Sequence, residues 1–71
     1  MNTKERIDKF DNEELSRQID RCVRGEIARA MLKRQLIDEI LVESIADEFY
    51  FSKRATERIL KRAREQLLSR I

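Results

Sequence analysis

The sequence predicts an all-α protein, a small four- to five-helix bundle. Three observations carry that expectation. Apolar residues recur at helical spacing, with no convincing strand-like alternation. Proline is absent and Gly25 is the only glycine, so the composition holds few strong helix breakers. At 71 residues the chain has room for one domain at most. A chain of this length buries only about 60–65% of the surface its unfolded form exposes, which leaves a thin core and marginal stability.

Residues 1–9 carry no apolar face beyond Ile7 and are expected to form a flexible N-terminus, with the helical domain occupying 10–71. Asp11 is placed as an N-cap with Glu14 three residues on, an acidic version of the capping box. Phe10 and Leu15 fall where a hydrophobic staple sits. The first helix then carries Leu15, Ile19, Cys22 and Val23 on one stripe and is predicted to end at Arg24, with Gly25 as its C′ glycine. A second helix is expected over about 26–38. Its apolar residues (Ile27, Ala30, Met31, Leu32, Leu36, Ile37) cover more than one face, as in a helix central to a bundle or shared with a partner. The third is short, about 42–49. The fourth begins after Ser52, its N-cap, and carries Ile59, Leu60, Ala63, Leu67 and Leu68 toward Ile71.

Composition excludes several functions. One cysteine, Cys22, allows no internal disulfide and points to a reducing interior, where it serves as a small core residue. Histidine is absent, which removes the usual general base and the commonest metal ligand. No nucleophile-and-base pairing stands out, so no enzyme, cofactor or metal site is expected. Asp47 and Glu48 point apart on a helix and make a poor cation site. No apolar run exceeds three residues, and the charged start is no secretory signal. A cytoplasmic protein with no membrane partner is the expectation.

Charge is informative through its arrangement. Charged residues make up 42% of the chain, yet the net charge is only +2. From 38 to 51 there are five acids (Asp38, Glu39, Glu43, Asp47, Glu48) and no base. From 52 to 71 there are seven bases (Lys53, Arg54, Arg58, Lys61, Arg62, Arg64, Arg70) against Glu57 and Glu65. Segregation of this kind, at a tight turn between two short helices, suits a helix-turn-helix at about 42–62 that reads DNA.

The segment 38–67, DEILVESIADEFYFSKRATERILKRAREQL, resembles the helix-turn-helix of region four of bacterial sigma factors. It is similar also to the small sigma-like regulators of phages and mobile elements. In that pattern Ile45 and Ala46 pack the first motif helix on the second, Phe49 and Phe51 flank the turn, Ser52 caps the recognition helix, and Ile59 anchors it underneath. The chain departs from the pattern at four positions. The family favours glycine where Glu39 stands, and glycine or a small polar residue where Tyr50 stands. Thr56 occupies an aliphatic position and Glu57 one usually held by a base or polar reader. A left-handed backbone at Glu39 or Tyr50 costs a non-glycine residue about 1–2 kcal/mol. With no glycine at 39, an unbroken helix through 26–49 is the alternative architecture.

If the motif forms, a recognition helix over 52–62 lies in the major groove, and its expected DNA-binding residues are Ser52, Lys53, Arg54, Glu57, Arg58, Lys61 and Arg62. Arg54 and Arg58, one turn apart, suit guanine O6 and N7. Glu57 suits cytosine N4, or orients Lys53 or Lys61. Lys53, Lys61 and Arg62 suit phosphates. The plainer reading is a solvated basic face. Phe49 and Phe51 are expected in the core rather than stacked on bases, with Tyr50 exposed between them.

Two functions follow. The resemblance implies a sequence-specific DNA-binding transcription regulator, phage or mobile-element encoded. Its partner would be double-stranded DNA, with a homodimer and a protein such as RNA polymerase as further expected partners. The alternative is a protein-binding inhibitor or adaptor built on a degenerate helix-turn-helix, which the four departures favour. Leu67, Leu68 and Ile71 serve either the core or a dimer interface.

Overall fold

The computed structural model of the chain describes residues 7–70. Four helices make up its regular structure: α1 (Asn12–Cys22), α2 (Glu26–Leu36), α3 (Val42–Phe49) and α4 (Lys53–Arg70). No strand occurs among the described residues. α4 packs against each of the other three, and α2 also packs against α1 and α3. The core therefore gathers around the inner side of α4. Leu60, Ala63 and Leu67 meet Leu15 and Ile19 of α1, Met31 and Leu32 of α2, and Ile45 of α3, all buried in one apolar cluster.

The start of α1 follows the local chemistry. The Asp11 carboxylate accepts the Glu14 N–H at 2.7 Å, which satisfies one of the first-turn donors. Leu15 is buried, and Phe10 packs beside the same cluster. Ile7 is also buried, at 6% exposure, and its carbonyl accepts the Phe10 N–H at 2.9 Å. Packing thus begins at Ile7, inside the stretch expected to be loose, because one isoleucine finds a place in the cluster. The rest of that expectation, on residues 1–6, and the role assigned to Ile71 lie outside the described residues.

Gly25 does not play the part expected of it. α1 stops at Cys22, Val23 turns extended and buries its side chain, and Gly25 becomes the N-cap of α2 at φ 93° and ψ 130°. Only glycine takes that backbone without strain. The connection is held by Arg29, whose guanidinium donates to the Val23 carbonyl at 3.1 Å.

α2 ends at Leu36, so the chain breaks between α2 and α3 and the unbroken helix is excluded. The last turn widens. Ile37 and Asp38 both donate to the Lys33 carbonyl, at 2.9 and 3.3 Å, and Ile40 reaches back to the Arg34 carbonyl at 3.0 Å. Glu39 takes the left-handed backbone there, at φ 57°. At the far end of α3, Tyr50 does the same at φ 60° and ψ 37°. Its N–H donates to the Asp47 carbonyl at 3.4 Å and the Phe51 N–H to the Ala46 carbonyl at 3.0 Å. These two bonds define a Schellman ending, with tyrosine where glycine is usual.

Two expected core positions are corrected. Phe51 is 37% exposed, because the Schellman turn carries it past the end of α3; Phe49 is half-buried. Ile59 is also only half-buried. The buried line of α4 runs through Thr56, Leu60, Ala63 and Leu67, at the i, i+4, i+7, i+11 spacing of one helix face, and Ile59 falls to one side of it. Thr56 tolerates full burial because its hydroxyl donates to the Ser52 carbonyl at 2.9 Å.

Candidate nucleic-acid interface

The side of α4 opposite its buried line is where the basic residues stand. Ser52 starts the helix by accepting the Ala55 N–H on its hydroxyl oxygen at 3.1 Å. Ser52, Lys53, Arg54, Glu57, Arg58, Lys61 and Arg62 are all exposed. With burial fixed by Thr56, Leu60, Ala63 and Leu67, helical geometry gathers Arg54, Arg58, Lys61 and Arg62 into one outward sector. None of these four makes an ion pair among the described residues.

Lys53 and Glu57 differ from expectation. Lys53 binds Glu43 of α3 at 3.1 Å, and that hydrogen bond raises its pKa, with smaller help from the Glu43 and Glu57 charges. Both partners are well exposed, so the pair is weak and exchangeable. Glu57 forms no ion pair with either Lys53 or Lys61.

Arg34, absent from the sequence argument, controls the acidic side. Its guanidinium forks onto Glu48, with Nε to Oε1 at 3.0 Å and Nη2 to Oε2, and its Nη1 reaches Asp38 at 2.8 Å. The Glu48 hydrogen bond, then that of Asp38, raises the Arg34 pKa; in return, Arg34 holds the Glu48 carboxyl below its usual range. One arginine thereby spans the α2–α3 break and engages two of the five acids, halving their combined charge. The i,i+4 spacing of Arg34 and Asp38 was visible in the sequence; the pairing with Glu48, fourteen residues away, was not. Arg64, half-buried, is likewise committed, donating to Gln35 of α2 at 3.0 Å. Of the acids counted between 38 and 51, Glu39 and Asp47 make no ion pair among the described residues.

No protein-family model matches this chain, and no curated protein or solved structure matches it either. Among the described residues, no helix is long and apolar enough to cross a membrane.

Proposed function

We propose that α3 and α4 act as a helix-turn-helix and that the protein is a sequence-specific DNA-binding regulator of transcription. One observation carries the reading. Arg54, Arg58, Lys61 and Arg62 share the solvent face of a helix whose other face is sealed, while the nearby acids Asp38, Glu43 and Glu48 are drawn onto Arg34 and Lys53. A phosphate backbone meets unpaired cations there. The first turns of α4 enter the major groove, Arg54 and Arg58 face guanine edges, and Lys61 and Arg62 face phosphates. Lys53 exchanges Glu43 for phosphate as the complex forms.

A gel shift against random and genomic duplexes over a salt series tests this. With about four to six phosphates neutralised, log K falls against log salt with a slope of about −4 to −5. Arg58→Ala costs about 1–3 kcal/mol and relaxes one base position, whereas Lys61→Ala weakens all sequences alike and flattens the slope by about one. Micromolar, sequence-blind binding that vanishes at physiological salt counts against a specific regulator.

A second reading, a protein-binding inhibitor or adaptor, is favoured by Tyr50, which stands 96% exposed between α3 and the basic helix. It predicts little binding to any duplex and loss of a protein partner on mutating Tyr50.

A further inference from the structure

Adjoining the outward sector of α4, which it meets at Arg62, a valley runs beside the end of α1 and the start of α2. It consists of three adjoining hollows. The first, of about 330 Å³, has an apolar floor of Ala28, Ile59 and Ala63 under Arg24 and Arg62. The second, of about 280 Å³, shares Arg24, Arg62 and Gln66 with it and continues to Cys22 and Arg70. The third, of about 410 Å³, shares Cys22 and Arg70 and ends at Arg21. Among the described residues, no carboxylate lines any of them. Arg21, Arg24, Arg62 and Arg70 make no ion pair among the described residues. The valley is therefore a cationic trough with one apolar seat.

The complementary feature is on the same chain. Leu41, at the start of α3, is 72% exposed. Glu39 and Glu43 flank it, both exposed; among the described residues Glu39 makes no ion pair, and Glu43 pairs at the surface with Lys53. An uncovered leucine between two glutamates matches an apolar seat between arginines. The two features cannot meet within one molecule. The seat includes Ala28 in the first turn of α2 and the corner follows its last turn, so the eleven residues of α2, about 16 Å of helix, hold them apart.

We propose that the chain associates head to tail, Leu41 of one copy seating over Ala28, Ile59 and Ala63 of the next, with Glu39 and Glu43 beside Arg24 and Arg62. The contact is heterologous, and each added copy presents a fresh corner and a fresh seat, so assembly stays open unless the rotation closes a ring. Burial of the leucine supplies attraction and the charges set register. Nucleic acid fits this seat less well, since a sugar–phosphate strand has nothing to place on the apolar floor. The inference shares Arg62 with the DNA reading but needs neither Arg58 nor Lys61, so substitutions at Arg24 and Leu41 test it separately.

Sedimentation of the full chain over a concentration series at low and high salt tests it. Mass is expected to rise past the dimer with concentration and to fall with salt. Arg24→Glu weakens association about tenfold or more by facing like charges, and so does Glu39→Arg. Combining the two in one chain restores it, because each copy then presents the swapped pair. Leu41→Ser weakens it without changing the salt dependence. These side chains are exposed, so circular dichroism should show every variant folded. A chain monomeric at every concentration overturns the proposal, as does a mass that stops at the dimer or a double variant that fails to recover. Loss of duplex binding in Arg24→Glu with unchanged mass of the free protein assigns the valley to phosphate and also overturns it.

Discussion

Replacing Tyr50 by glycine should make the protein more stable, although it removes the chain's only tyrosine. Tyr50 holds φ 60° and ψ 37°, a left-handed backbone that costs an L-residue about 1–2 kcal/mol. Glycine takes the same backbone freely, but its looser unfolded chain returns about 0.5–1 kcal/mol of that gain. No packing is lost with the ring, because Tyr50 is 96% exposed. The net expectation is a stabilisation of about 0.5–1 kcal/mol, or about 2–8 °C in Tm for a domain of this size. Urea and thermal unfolding followed by circular dichroism would read it, with an unchanged urea slope showing that the folded and unfolded states stay as compact as before. Tyr50→Ala is the control, since alanine keeps the strain and should give no gain. Equal stabilisation by alanine, or a neutral or destabilising Tyr50→Gly, would refute the strain argument. Glu39→Gly relieves the same strain at the other end of α3. Eight residues, about 12 Å of helix, separate the two, so their effects should add.

Leu60→Ala should cost about 2–5 kcal/mol and largely unfold the domain, while the half-buried Ile59 tolerates the same truncation with a smaller loss; denaturation midpoints in the reverse order would show the buried face of α4 to be misplaced. Acid should also act through Glu48. Its folded carboxyl titrates below the ordinary glutamate value of about 4.3, so its contribution is present above that pH and disappears as pH falls through the lower folded value. Glu48→Gln should flatten the acid limb of a stability–pH curve, and an identical limb in both proteins would remove Glu48 as the cause. The effect is expected to be small, because the pair lies at the surface.

What was legible in the sequence was mostly local. The Asp11 cap, the Ser52 cap and the helical faces of α1 and α3 depend on residues within a turn of each other, where spacing alone fixes geometry. The exposure of the predicted DNA-binding residues was legible for the same reason. Gly25 was misplaced because a positive-φ glycine serves as well before a helix as after one. Ile59 and Leu60 both lie on the wide apolar arc of α4, the resemblance makes Ile59 the anchor, and only the burial of Thr56 decides which edge faces inward. A threonine that satisfies its own hydroxyl looks polar in sequence and behaves as core in the fold. The Arg34 clasp and the valley beside α1 depend on which helices become neighbours, and no local pattern carries that information.

The position of α4, packed on the other three described helices, constrains how it can move. The helix that carries the basic face is also the one around which the core closes. Turning it would open the cluster that holds the chain together. For the DNA reading proposed above, a switch that swings α4 alone would therefore disrupt the core. On that reading, control comes from occupancy: how much protein is present, and what else competes for its surfaces. Native-state hydrogen exchange would register the same fact, with the inner amides of α4 opening only together with those of α1 and α2, in a single global event.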